Sequence, residues 1–162
     1  MMLNLEKTSA TLCKVLRFVI AEQQYVANID RLREIVLYRP SIPVPHSPPF
    51  LKGVIDLRGL VIPLIDMRER LGIPPAARSA PTHILVVGLG EMVAGLVVDH
   101  VRDVLQVDTD QFQIPDASEG CSSLCRGVCR IKDDLLLLID LDAVLSAEER
   151  AGTEAQEILK NI

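Results

Sequence analysis

Residues 53–66 read GVIDLRGLVIPLID, and residues 127–140 read GVCRIKDDLLLLID. The two stretches align without a gap: Gly-Val opens both, and Leu-Ile-Asp closes both. In each, a polar pair stands between two short apolar runs, Arg58-Gly59 in the first and Asp133-Asp134 in the second. That pattern is typical of two strands joined by a tight turn. Each stretch therefore predicts one β-hairpin.

Two further pairs of segments repeat in the same order. Residues 29–35 (IDRLREI) match residues 98–104 (VDHVRDV), and Val44-Pro45 matches Ile114-Pro115. Three matched segments in one order indicate an internal duplication, so we interpret the chain as two copies of one supersecondary unit. The 29–35 segment suits both a helical turn and a strand, and a short turn that leads into a strand satisfies both patterns.

The apolar runs of each copy are short and rich in Val, Ile and Leu, which favours strands over helices. Additional strands are predicted at 18–20 and 25–29, and at 84–87 and 92–98. About five short strands in roughly 65 residues match the size of a small barrel, which closes and leaves no exposed edge. We therefore predict an all-β chain with two five-stranded β-barrel subdomains side by side, at about 14–73 and 82–145.

Proline and small residues at 74–81 predict an extended linker between the two subdomains. Ser146 and Glu149 form a capping box, which predicts a C-terminal α-helix over about 147–160. On this interpretation residues 1–162 form a single domain.

Composition excludes several classes of protein. The chain is 49% hydrophobic, too apolar for intrinsic disorder, yet its apolar runs fall short of the ~20 residues that span a bilayer. A net charge of −5 and five aromatic residues without Trp argue against nucleic-acid binding. Four cysteines without a secretion signal favour reduced thiols and a cytoplasmic location. We expect no nucleic-acid partner and no direct membrane insertion.

The sequence contains no recognisable catalytic or cofactor motif, so we expect no enzyme and no cofactor. The acidic pairs at 108–110 and 140–142 are expected to cap turns at strand ends rather than to hold a metal.

Cysteine spacing leaves a different function open. Cys121, Cys125 and Cys129 stand four residues apart, and three thiolates with one further ligand could hold zinc or an iron–sulfur cluster. The duplication aligns Cys129 with Ile55, which indicates a small core residue instead.

Proline spacing suggests a docking segment. Pro45 and Pro48 have the P-x-x-P spacing of a segment that docks on an aromatic groove, but we favour an extended connection across the barrel as the explanation.

Arg58 is the strongest candidate for a binding residue. It lies at the predicted hairpin tip, where a side chain has no core to fill, and Pro63 in the return strand cannot donate a ladder hydrogen bond. Arginine is a preferred anchor of protein interfaces. The first hairpin therefore predicts a guanidinium presented beside an interrupted sheet edge.

These residues resemble the CheW family, the coupling proteins of bacterial chemotaxis arrays, over roughly residues 14–146. The resemblance rests on Tyr25, on residues 29–35 and 53–66, on GLVVD at 95–99, and on 127–128 with 138–140. It implies two SH3-like five-stranded barrels. It also implies a non-enzymatic adaptor between the cytoplasmic tip of methyl-accepting chemoreceptors and the regulatory domain of the histidine kinase CheA. A CheW-like scaffold for a non-swimming pathway, such as twitching, is a second role that the resemblance leaves open.

The resemblance also implies residue roles. Arg58 and Gly59 match the turn on the receptor-binding surface, and Val97 and Val98 match positions in a groove between the barrels that receives the receptor helix. Leu32, Glu34 and Gly53 match positions whose alteration disturbs kinase or receptor coupling.

Asp56 departs from the family, which usually has Asn at this position. Its carboxylate is placed to pair with Arg58 and mute it, or to tune the choice of receptor.

Overall fold

The fold was determined from a computed structural model that describes residues 12–74, 80–114 and 124–145, together with Glu149. The strands are β1 Leu12–Ile20, β2 Gln23–Asn28, β3 Leu32–Leu37, β4 Leu51–Leu57, β5 Leu60–Asp66, β6 His83–Leu89, β7 Met92–Val98, β8 His100–Asp108, β9 Cys125–Ile131 and β10 Asp134–Ile139. One four-residue helix, α1, covers Met67–Arg70, and 3₁₀ turns cover Ile29–Arg31, Thr109–Gln111 and Leu141–Ala143. No helix in these described ranges is long and apolar enough to cross a bilayer.

The strands form two five-stranded sheets, which confirms the predicted all-β class. Sheet I has the order β8-β1-β2-β10-β9, and sheet II has the order β3-β6-β7-β5-β4. Most neighbours are antiparallel, but β10 pairs with β2 and β5 pairs with β7 in parallel. The two orders are the same when each strand is replaced by its repeat in the other half of the chain. The topology therefore supports the internal duplication.

The subdomain bounds drawn from the sequence, 14–73 and 82–145, do not coincide with the two sheets. The first hairpin, β1–β2, belongs to sheet I, and its repeat, β6–β7, belongs to sheet II. Each half of the chain thus donates its first hairpin to the other half's sheet. The sequence prediction was wrong here because hairpin patterns report which neighbouring strands pair, not which distant strands they join.

Each sheet has one face toward a shared core and one face toward its own smaller core. On β6, Leu85, Val87 and Leu89 belong to the shared cluster, which also contains Phe18 and Ile20 of sheet I. The alternate β6 residues Ile84 and Val86 belong to a cluster confined to sheet II. This alternation is the period of two expected for strands that are covered on both faces.

Among the described residues, one isolated bridge joins the two edges of each sheet. Ile42, which follows edge strand β3, pairs with Val54 on β4, and Gln113, which follows edge strand β8, pairs with Val128 on β9. These bridges curl both sheets in the same way. They also correct the predicted match of Val44 with Ile114, because Ile42 corresponds to Gln113.

Several local predictions are confirmed, and one is shifted. Residues 29–31 form a 3₁₀ turn that leads into β3, as the mixed pattern indicated. The second hairpin turns at Lys132-Asp133, the aligned partner of Arg58-Gly59, and not at Asp133-Asp134. Of the predicted C-terminal helix, only Glu149 lies within the described residues, and its backbone is helical.

Candidate functional site: the β4–β5 tip and the junctions between the sheets

Local backbone geometry holds the β4–β5 tip in place. Arg58 and Gly59 both have positive φ, 51° and 89°, which is the conformation of a two-residue turn between twisted strands. The Gly59 N–H donates to Asp56 Oδ1 at 2.7 Å. An Asn side chain has the same acceptor oxygen, so Asp56 performs a turn-capping task that Asn performs equally well.

Arg58 pairs with Glu34 on edge strand β3, through its Nη2 and a Glu34 carboxylate oxygen. The expectation that Asp56 pairs with Arg58 is therefore wrong, because the Asp56 carboxylate is turned toward the Gly59 amide. The Arg58 side chain is 69% exposed and that of Glu34 is 32% exposed. The structure thus brings together two residues that the resemblance assigned to receptor binding and to kinase coupling.

Edge strand β3 carries exposed apolar side chains next to this ion pair in sequence. Ile35 is 39% exposed and Leu37 is 74% exposed, whereas Val36 between them packs against the sheet II cluster. Leu60, at the start of β5, is also half exposed. Large apolar side chains on an edge strand beside a charged pair are typical of a protein interface. Successive side chains of a strand point to opposite faces, so Glu34 shares a face with Val36, whereas Ile35 and Leu37 lie on the other face of β3. We call Glu34, Arg58 and Leu60 the arginine face.

Gly53 and Leu32 position the strands that carry the arginine face. Gly53 has φ +148°, and a Cβ there would lie 2.3 Å from the Ile42 carbonyl oxygen. Only glycine allows the chain after β3 to approach β4 so closely. Leu32 is half-buried at the start of β3 and packs against the shared core. Sequence reasoning could not separate such positioning residues from residues that touch a partner.

Val97 and Val98 lie inside the protein rather than on its surface. Val97 is 5% exposed and belongs to the sheet II cluster, and Val98 is 1% exposed and belongs to the shared core. Their repeats in the first half of the chain are Asn28 and Ile29.

A cavity of about 510 Å³ opens beside Asn28, at the junction where the turn 29–31 meets the turn 141–143. Its lining combines apolar side chains with charged ones, among them Val15, Phe112, Leu138, Asp30, Arg31 and Asp142. Arg31 Nη1 and Asp142 Oδ1 pair at 2.7 Å on its rim, and both side chains are largely exposed. The lining residues belong to strands of sheet I and to the turns that flank them, so the cavity lies on the sheet I side, beside the turn where the chain crosses to sheet II. We call this solvent-exposed place the open junction.

The opposite junction is closed by a buried ion pair. Arg68 of α1 donates to both carboxylate oxygens of Asp99, at 3.2 Å from Nε and at 2.6 Å from Nη2. Asp99 is 3% exposed. The hydrogen bond to Asp99 raises the pKa of Arg68 above its usual value. By the alignment of the repeats, Arg68 and Asp99 correspond to Asp142 and Asp30 at the open junction.

Sheet I has its own charged pair between its edge and its second strand. Arg17 on β1 donates to both oxygens of Asp103 on β8, at 2.8 and 2.6 Å. That hydrogen bond lowers the pKa of Asp103 and raises the pKa of Arg17. Asp103 is the repeat of Glu34, yet its partner is not the hairpin tip.

The cysteine geometry contradicts a shared metal site for Cys125 and Cys129. They lie four residues apart on β9, about 13 Å along a strand at ~3.3 Å per residue. Two thiolates on one zinc are within about 4.6 Å, given Zn–S bonds of ~2.3 Å. Burial raises the pKa of the Cys129 thiol, which disfavours the thiolate that a metal needs. Cys121 lies outside the described residues.

The segment between Pro45 and Pro48 does not have the backbone of a proline-rich ligand. His46, which lies between the two prolines, has φ +58°. That value interrupts the polyproline II conformation that a P-x-x-P ligand adopts. A left-handed residue also interrupts an extended connection, so the chain turns at Pro45-His46 and neither predicted backbone is present there.

The acidic pairs at 108–110 and 140–142 have the turn-capping role predicted for them. Asp108 and Asp140 each precede a 3₁₀ turn, and each Oδ1 accepts from the backbone amide two residues on. The distances are 2.9 Å to the Asp110 amide and 3.0 Å to the Asp142 amide. Both carboxylates are thus used by the local backbone.

Comparison with known proteins places this geometry in a family. A family model described as a CheW-like domain matches residues 14–149. The chain is 39% identical over 139 residues to the chemotaxis protein CheW of Rhizobium meliloti, covering 85% of this chain and 90% of that protein. It is 32% identical over 136 residues to the chemotaxis protein CheW of Klebsiella aerogenes, covering 83% and 82% of the two chains.

A solved structure has the same fold. The scaffolding protein TtCheW of Thermoanaerobacter tengcongensis superposes with a TM-score of 0.77 at 28% sequence identity, covering 89% of this chain and 92% of that one.

Proposed function

The chain belongs to the CheW family, and from this premise we propose that it links a CheA-type histidine kinase to the cytoplasmic tip of methyl-accepting chemoreceptors. Its role is that of a coupling adaptor in chemotaxis, a non-catalytic scaffold. An adaptor needs rigid surfaces for two partners, and two small sheets packed on one shared core supply them. Because the receptor tip proposed as its partner is cytoplasmic, we propose that the protein acts in the cytoplasm.

The Arg58–Glu34 ion pair is the observation that carries the proposal. It joins the hairpin tip to edge strand β3, whose other face carries the exposed apolar side chains of Ile35 and Leu37. An exposed pair contributes little to folding, roughly 0–1 kcal/mol, so its placement at the tip is better explained by binding. We assign Arg58 and Gly59 to receptor contact and Glu34 to kinase coupling, through its ion pair with Arg58.

The remaining predicted residues act by positioning. Gly53 admits the bridging segment, and Leu32 anchors the start of β3, so both support the arginine face without touching a partner. Val97 and Val98 are buried and act through the packing of β7. We place the groove for the receptor helix at the open junction beside Asn28, because that junction has a cavity with an apolar floor.

The test is the substitution Arg58→Glu, measured by quantitative pull-down with receptor and with kinase separately. It sets two carboxylates against each other at the tip, and we expect receptor binding to weaken by about 2 kcal/mol, roughly thirtyfold in Kd, while kinase binding survives. Lys132→Glu is the matched control, because Lys132 is the aligned residue at the other tip and has a similar φ of 57°.

A charge exchange separates contact from support. Arg58→Glu combined with Glu34→Arg restores an ion pair between the same positions, so it restores the local structure of the tip. If Arg58 touches the receptor, the double variant still binds receptor weakly. Equal retention of receptor by Arg58→Glu and the unaltered chain would remove Arg58 from the binding surface.

A further inference from the structure

Asp99 joins elements of both sheets at the point where the chain crosses from one to the other. It lies between β7 of sheet II and β8 of sheet I, and it is the only buried charged residue among those the structure describes. Its Oδ2 accepts from the Ala21 amide, in the β1–β2 turn of sheet I, at 2.8 Å. The same carboxylate receives the two hydrogen bonds from Arg68, which follows β5 of sheet II. One side chain therefore ties a turn of sheet I to a helix attached to sheet II.

Backbone hydrogen bonds add to this connection. The Asp99 amide donates to the Val19 carbonyl of β1 at 3.0 Å, and the Asp99 carbonyl accepts from the Thr82 amide, just before β6, at 3.1 Å. The contacts of Asp99 thus fix the position of β1 relative to β6. A bidentate arginine–carboxylate pair also has a defined plane, so it restrains orientation as well as distance.

The opposite junction shows what the chain does without such a contact. At the open junction Asp142 stands in the place of Arg68. Asp142 pairs with Arg31, the residue that follows Asp30 in the chain. Those two side chains, Arg31 and Asp142, are 41% and 55% exposed, whereas Arg68 and Asp99 are 15% and 4% exposed. Water screens the exposed pair and leaves it weak. Of these two junctions, the closed one has the ion pair that is shielded from water and held by two directional hydrogen bonds.

We propose that Asp99 and Arg68 form a clamp that fixes the angle between sheet I and sheet II. Asp99 and Arg68 act as positioning residues, since they set how the arginine face and the open junction are oriented relative to each other. The consequence for partner assembly rests on the proposed function, but the clamp itself does not.

The clamp can be tested without any partner, by amide residual dipolar couplings on the full chain. The couplings of the strands of sheet I and of sheet II are fitted separately in one alignment medium. In the unaltered chain we expect one common alignment tensor. In Arg68→Gln we expect the two sheets to need different tensors, with a loss of order in one relative to the other. Arg31→Gln, which alters the open junction, should keep the common tensor.

A second variant separates orientation from stability, because Arg68→Gln leaves Asp99 buried without its cation. Arg68→Met combined with Asp99→Asn leaves no unpaired buried charge and keeps an oxygen to accept from Ala21. This variant should fold and still lose the common tensor. If a single alignment tensor fits both sheets in either variant, as in the unaltered chain, the proposed clamp is wrong.

The functional consequence has a readout of its own. In pull-downs with both partners present, Arg68→Gln should retain each partner singly to within threefold and lose joint retention by at least about tenfold. Loss of a single partner would count against the proposed binding surfaces. Unchanged joint retention, together with separate tensors, would show that the clamp exists but does not control assembly.

Discussion

The two sheets have the same strand order, yet they present different charges at equivalent places. In sheet II the hairpin tip carries Arg58, which reaches Glu34 on the edge strand. In sheet I the aligned tip carries Lys132, while Asp103, the repeat of Glu34, is held by Arg17 on the neighbouring strand. The backbone duplication thus supplies two similar platforms. Side chains alone decide which of them presents an arginine beside an apolar edge.

The same contrast separates the two junctions between the sheets. One is closed by the buried pair Arg68–Asp99, and the other keeps the exposed pair Arg31–Asp142 at the rim of a cavity. A symmetric backbone with one closed and one open junction explains how a duplicated fold offers unlike sites to unlike partners. Substitutions made in pairs, one in each repeat, test each part of this contrast.

The largest expected difference concerns the junctions. Asp99→Ala removes the buried carboxylate that accepts two hydrogen bonds from Arg68 and one from the Ala21 amide, and removing one partner of a buried pair costs about 3–5 kcal/mol. Asp142→Ala breaks a pair that is largely exposed and should cost less than about 1 kcal/mol. Urea unfolding of both variants measures the difference. Equal losses of unfolding free energy would mean that the two junctions are energetically alike.

The next difference concerns the glycines that open the repeated hairpins. Gly53→Ala forces a Cβ against the Ile42 carbonyl at a positive φ and should cost about 3 kcal/mol. At Gly127 a Cβ would lie 3.0 Å from Phe112 Cβ, so Gly127→Ala should cost about 1 kcal/mol. Thermal unfolding followed by circular dichroism compares the two. If Gly127→Ala destabilises the protein more than Gly53→Ala does, Gly53 is not the glycine at which neighbouring atoms approach more closely.

The smallest difference depends on pH and belongs to sheet I. Because Arg17 lowers the pKa of Asp103 below the ordinary 3.8, the folded state gains stability from the ionised carboxylate. That contribution is fully present above the ordinary pKa and disappears as the pH falls through the lowered one. Asp103→Asn should therefore lower the free energy of unfolding by up to about 1 kcal/mol at neutral pH. The difference in the free energy of unfolding between Asp103→Asn and the unaltered chain should become smaller as the pH falls. Urea unfolding at several pH values between neutral and acid measures this difference. A difference that widens on acidification would contradict the pairing.

Much of the site follows from the sequence, but its contacts do not. The turn at Arg58-Gly59 was predictable because a polar pair containing glycine between apolar runs favours a tight turn. The partner of Arg58 was not, since Glu34 and Asp56 are both acidic and only the curl of sheet II brings Glu34 to the tip. Val97 and Val98 were assigned to a groove by resemblance to the family, and their strand pattern, apolar on both faces, could not reveal that both residues are covered.

By itself the sequence determined the duplicated unit, its hairpins and the aspartates that cap the turns at strand ends, Asp108 and Asp140. These features depend on neighbouring residues, whose periodicity and turn chemistry act over a few positions. Only the tertiary structure decided that the first hairpins are exchanged between sheets, that one junction is closed, and that Arg58 meets Glu34. Those outcomes depend on contacts between residues far apart in the chain, where packing and burial select among arrangements that local patterns allow equally.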